Sequence, residues 1–192
     1  MNSAPLGSRS RRLALASLFS VIIFLSKAGL PSPFDKAFLV VQALLLVLGA
    51  FLLGFTGATY ISTLSGLLLS LWRAQFAPFT VGLSVLYGLL VDVFVVGLRA
   101  IGAGGAVSTK KTVVASALST AITGLVSYYV TVWVFQLPIP TDLLVDLGIL
   151  AGGMVGGFVG GWLAAFVWGR YISRLVGVGK EVPPPLTGTE PS

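Results

Sequence analysis

The side chains able to do chemistry in this chain gather at the ends of apolar runs, and they are hydrogen-bonding and stacking groups. Trp72, Arg73 and Gln75 stand almost side by side at the end of one run, and Lys27 lies three residues before the end of another. Trp133 and Gln136 close a later run, and Asp142 and Asp146 open the one after it. Ser84 and Tyr87 fall in the half of a run that starts just beyond Gln75. Arg73 and Gln75 are suited to hydrogen-bonding a polar ligand, while Trp72, Tyr87 and Trp133 would suit stacking on a flat heterocycle. Each also has a purely structural reading. Lys27 and Arg73 would snorkel to headgroups, Trp72 would join an interfacial aromatic belt, and Asp142 would be a first-turn acid. Asp146, one turn deeper, is expected to face protein or water.

Reactive groups are scarce. Histidine and cysteine are both absent, which removes the usual general base, thiolate chemistry and disulfides. The sequence holds no GxxxxGK[ST] loop, no paired carboxylates and no metal-ligand cluster, so neither an enzyme nor a cofactor is expected. Asp92 is the only acid in the middle of an apolar run. A carboxylate there costs a few kcal/mol unless it faces the bundle interior. Arg99, seven residues later, or another basic group is its expected partner, with proton or cation coupling as the alternative.

The elements that must position these groups are long and apolar. Hydrophobic residues make up 56% of the chain, charged residues 9%, and the mean hydropathy is +0.99. Soluble domains average about 25% charged residues, so this chain is expected in a bilayer. Six spans are expected, over Leu13–Leu30, Ala37–Phe55, Thr59–Trp72, Phe79–Arg99, Thr112–Gln136 and Leu143–Gly169. The fold class is therefore an all-α polytopic membrane protein. Residues 1–12 form a basic N-terminal segment, 13–174 the membrane domain, and 175–192 a proline-rich polar tail expected to be disordered. With the N-terminus inside, nine Lys and Arg fall on the cytoplasmic side and three opposite. That bias places both termini in the cytoplasm, with the plasma membrane as location. It also accounts for the net charge of +6 without a nucleic-acid partner.

Two elements depart from a plain span. Thr59–Trp72 covers only about 21 Å as a helix, short of a hydrocarbon core about 30 Å thick. Its polar continuation RAQFAP suggests a solute cavity near the outer face, with this connection at the rim. The last span carries glycine at 148, 152, 156 and 160, with a second row at 153, 157 and 161. Such a groove lets another backbone approach closely, for static packing or as a sliding surface. The first span holds the small-residue pair Ala16 and Ser20, for bundle packing or for docking a second membrane subunit. The segment IGAGGAVSTKK reads as a flexible cytoplasmic loop, and Asp35 as a candidate N-cap of the second helix.

Over residues 13–174 the chain resembles the membrane-embedded substrate-binding S component of energy-coupling-factor (ECF) vitamin transporters. The segment TGATYISTLSGLLLSLWRAQFAPFTVGLSVLYGLLVDVFVVGLRA carries most of the similarity, with the glycine-rich last span. Ala16 and Ser20 are similar to the family's Ala-x-x-x-Ala motif, with serine in place of the second alanine. The resemblance implies a subunit that captures a vitamin or its precursor from outside, with a hint of the hydroxymethylpyrimidine (thiamine-precursor) type. It further implies a transmembrane scaffold subunit and ATPase subunits as partners. An ion-coupled secondary carrier built on Asp92, or a non-transporting membrane assembly protein, are the competing expectations.

Overall fold

The computed structural model describes residues 7–28, 38–72, 74, 77–102, 106–134 and 142–172. They form six α-helices: α1 Gly7–Ala28, α2 Leu39–Leu53, α3 Gly57–Trp72, α4 Ala77–Gly97, α5 Thr109–Val134 and α6 Leu143–Val167. A π-helical turn, Trp168–Ile172, continues α6. The all-helical expectation holds: among the described residues the only β feature is an isolated bridge between Ile101 and Val107. Three helical stretches are long and apolar enough to cross a membrane, Ala77–Gly97, Thr109–Val134 and Leu143–Ile172.

The shortest helix lies at the centre. α2 touches each of the other five helices, and all of its residues from Gln42 to Leu52 except Leu44 are buried. Its sequence, LVVQALLLVLGAFLL, is apolar all round, as a helix surrounded by others must be. α1, α3, α4, α5 and α6 form an arc about it, each packed on the next in that order. Leu46, Val47, Ile61, Val91 and Val95 are fully enclosed at the middle of this core.

Small residues set the closest approaches, and the two glycine rows of α6 divide between two neighbours. A Cβ on Gly153 would stand 2.8 Å from the Ala121 Cα, and one on Gly157 would stand 2.6 Å from the Ala117 Cα, both on α5. A Cβ on Gly160 would stand 2.7 Å from the Ala43 Cβ on α2. Gly148 and Gly152 meet nothing within 4 Å among the described residues. Static packing therefore accounts for the lower part of the groove, and the upper part is open.

Ala16 and Ser20 face inward. Both are 0% exposed, and the Ser20 hydroxyl reaches the carbonyls of Ala16 at 3.0 Å and of Ile61, on α3, at 3.1 Å. The small pair is used within the bundle, and the surface of α1 is formed instead by Leu13, Leu18 and Leu25. The connection after α4 is also more ordered than expected at its ends. Gly102 donates to the Ala106 carbonyl and Ser108 to the Ala100 carbonyl, at 2.8 and 2.9 Å. The N-cap position of α2 falls to Phe38 rather than Asp35.

Candidate functional site

All five exposed cations among the described residues, Arg12, Arg99, Lys110, Lys111 and Arg170, stand at one end of the bundle, here the basic end. At the opposite end the arc outreaches its central helix. Leu39, where α2 starts, lies beside Gly156, so α6 continues for roughly 20 Å beyond it to Leu143. None of the residues of α4 from Ala77 to Leu86 is buried, nor any of α5 from Ile122 to Val134, nor any of α6 from Leu143 to Gly152. These ends are half-buried rather than enclosed: α5 and α6 still meet there through Tyr129 and Asp146 and through Gly124 and Ile149, and Ser84 of α4 packs on α3. Burial begins at one level: Tyr87 on α4, Thr120 and Ala121 on α5, and Gly153 on α6.

Tyr87 and Thr120 tie that level together. The Tyr87 hydroxyl lies 2.9 Å from the Thr120 Oγ1. Thr120 spends its own proton on the Ser116 carbonyl at 2.8 Å, so tyrosine is the donor between them. Tyr87 is 4% exposed and marks the floor above which none of the three helices has a buried residue.

Above the floor, Asp146 and an aromatic group occupy the seam between α5 and α6. The Tyr129 hydroxyl donates to the Asp146 Oδ2 at 2.9 Å. Tyr129 meets Tyr128 edge-to-face at 5.3 Å and Trp133 at 6.3 Å. The Asp146 Oδ1 is enclosed and has no hydrogen-bond partner among the described residues. Asp146 lies in the first turn of α6, where the helix dipole favours a negative charge. Asp142 holds the N-cap position by backbone alone, its carbonyl accepting from Val145 and Asp146 at 2.9 and 3.1 Å.

Of the residues expected to bind a solute, Trp133 and Asp146 are brought together through Tyr129, with Tyr87 at the floor. Ser84 goes elsewhere. A Cβ on Gly66 would stand 2.6 Å from the Ser84 Cβ, so Ser84 packs in the α3–α4 seam. Trp72 ends α3 with 66% of its surface exposed. Lys27, in the last turn of α1, is half-buried. Arg73, Gln75 and Gln136 lie outside the described residues.

Asp92 is 2% exposed, as an acid within an apolar helix must be, but its partner is not Arg99. Its carboxylate accepts the backbone N–H groups of Ala58 and Thr59 and the Thr59 hydroxyl. These are first-turn groups of α3, so α4 caps its neighbour. Arg99 instead takes a left-handed conformation, φ 49°, just past α4. Arg99 donates to the Val96 carbonyl and Ala100 to the Val95 carbonyl, each at 2.9 Å. That pairing is a Schellman closure of the helix.

Tyr128, Tyr129, Thr120 and Thr59 were not singled out by sequence reasoning. The signal for α5 was available: hydroxyl residues recur at Thr112, Ser116, Thr120, Thr123, Ser127 and Thr131. Several of these donate to the carbonyl four residues back on their own helix, which satisfies a hydroxyl in an apolar setting. No protein-family model, curated protein or solved structure matches the chain.

Proposed function

We propose that this protein is the membrane-embedded solute-binding subunit of an ATP-driven importer, capturing a small vitamin-like molecule at the outer face. The observation that carries the reading is the half-buried end of the bundle with its polar and aromatic groups. There α4, α5 and α6 extend past the central helix and are unburied above the Tyr87–Thr120 floor. Small ligands bind in concave, mostly apolar sites with a few convergent polar groups, and in this reading these three helix ends would frame one.

In this reading six helices lie in the plasma membrane with both termini cytoplasmic. α2 and α3, with 15 and 16 residues, would cover about 22 and 24 Å. Helices this short belong where protein surrounds them, and α2 is so surrounded. Positive charge inside puts the basic end in the cytoplasm and the open end outside. The chain has no nucleotide-binding loop, so energy would come from ATPase subunits acting through a transmembrane scaffold. The resemblance of residues 56–100 and of the glycine-rich α6 to ECF S components favours this class over other importers.

The test is ligand binding by the purified protein alone in detergent. Calorimetry against a panel of vitamins and their precursors should find one that binds at micromolar concentration or better. Tyr87→Phe and Trp133→Ala should each weaken it. A panel without a binder, or a binder unaffected by both substitutions, would overturn the reading.

A further inference from the structure

The seam between α5 and α6 holds an acid whose bonding is half complete. Asp146 is fixed by Tyr129, which uses one carboxylate oxygen at 2.9 Å. The other oxygen is enclosed and unpartnered among the described residues. Tyr129 is also the middle ring of an edge-to-face row with Tyr128 and Trp133, so the acid lies at the side of an aromatic row whose faces point in different directions. Trp133 is 76% exposed, which leaves most of its ring surface open to an incoming group. Rings and a carboxylate gathered in this way stabilise a cation, through the negative faces of the rings and the opposite charge of the acid.

The charge distribution agrees. Although the chain carries a net +6, the described Lys and Arg of α4, α5 and α6 all lie at the basic end. The opposite ends of these helices hold Asp142 and Asp146 and no described cation. An interfacial aromatic belt explains an exposed tryptophan. It does not explain an acid anchored among the rings with an oxygen to spare.

We infer that the solute bound at this end is a cation, a protonated amine or a quaternary or aromatic nitrogen, seated on Asp146 and ringed by Tyr128, Tyr129 and Trp133. This rests on the solute-binding reading and names the charge class of its ligand. Asp146 supplies the counter-charge, Tyr129 holds it in place, and Trp133 covers the outer side. A neutral molecule of the same shape would leave the carboxylate unpaired and bind more weakly.

The experiment compares cations with their neutral isosteres on the full-length protein in detergent. The probes are choline against 3,3-dimethylbutan-1-ol and N-methylpyridinium against toluene, with binding read by calorimetry and tryptophan fluorescence. The cation of each pair should bind about tenfold or more tightly. Asp146→Asn should remove that preference with little change for the neutral member, and Trp133→Ala should weaken the cation. Tyr129→Phe, which keeps the ring and loses the hydroxyl, should lower cation affinity by a smaller factor. Thermal unfolding of each variant checks that the fold is retained. Equal binding within each pair, or a cation preference that survives in Asp146→Asn, overturns the inference while leaving solute capture intact. If no probe and no member of the vitamin panel binds, solute capture fails and the inference fails with it.

Discussion

Thr59 presents both its backbone N–H and its side-chain hydroxyl to one oxygen of Asp92, the Oδ2, at 2.8 and 2.7 Å. The Ala58 N–H takes the other oxygen at 3.1 Å. The first turn of a helix has N–H groups without intrahelical partners, and in an apolar setting water cannot supply them. A carboxylate from α4 therefore completes α3, and the helix dipole of α3 offsets the cost of keeping the charge buried. The arrangement also fixes how far α4 slides along α3. The side of α4 bearing Ser84, Gly88 and Asp92 meets Gly66, Ser62 and Ala58 in turn.

Removing this cap should be costly, and removing Arg99 should not. Asp92→Ala leaves two N–H groups unbonded in a closed site and should lower stability by about 3 kcal/mol. Arg99→Gly relieves a left-handed side-chain-bearing residue and should leave stability unchanged or raise it by up to about 1 kcal/mol. Thermal unfolding in detergent reads both. Were Asp92 and Arg99 a structural ion pair, both substitutions would destabilise.

The contrast shows where sequence reasoning reached and where it stopped. Composition and run length carried the helical elements, because long apolar runs are local properties. The glycine rows announced close packing for the same reason. Which neighbour each row meets was not legible, since Gly157 and Gly160 differ only in the side of α6 on which they fall. The burial of Asp92 followed from the cost of an exposed charge, but its partner did not. Arg99 is near in sequence, whereas Thr59 is brought near only by packing of α3 on α4. The central position of α2 was also hidden. Its apolar surface is compatible with lipid or with protein, and its shortness acquires meaning only beside the longer α6. Asp146 and Trp133 were visible as residue types, while Tyr129, which joins them, looked like ordinary helix interior.

The hydrogen bond at the floor can be measured as a coupling. Tyr87→Phe and Thr120→Val each remove one partner between α4 and α5, and each should cost about 1 kcal/mol. The double substitution should cost less than the two singles together, by a coupling of about 1 kcal/mol. Strict additivity in unfolding measurements would mean that the bond contributes nothing to stability.

Position along α6 should decide the sign of a glycine substitution. Gly157→Ala forces a methyl group against the Ala117 Cα and the Ser116 carbonyl, both 2.6 Å from the added carbon. It should cost about 1–3 kcal/mol through overpacking. Gly148→Ala meets open space and should gain up to about 1 kcal/mol from helix propensity. Parallel unfolding measurements on the two variants test this, and equal losses at both positions would contradict the packing described.

The small pair of α1 separates an internal role from a docking role. Ala16→Leu adds volume at a site with 0% exposure and should destabilise the isolated protein by about 1–3 kcal/mol. Ser20→Ala, which loses the bond to the Ile61 carbonyl, should cost about 1 kcal/mol. A docking surface would behave oppositely, with the isolated protein unchanged and only co-purification with a membrane partner lost.

Orientation in the membrane can be read directly because the chain contains no cysteine. Single cysteines at Lys110 and Leu144 occupy exposed positions at opposite ends of the bundle. The charge bias predicts that Lys110→Cys reacts with a membrane-impermeant maleimide only after cells are opened, and that Leu144→Cys reacts in intact cells. Neither side chain packs in the core, so both proteins should fold and insert as the parent does. The reverse labelling pattern would turn the open end toward the cytoplasm. Capture from outside would then be impossible, and the aromatic and carboxylate groups around Asp146 would have to meet a solute arriving from within.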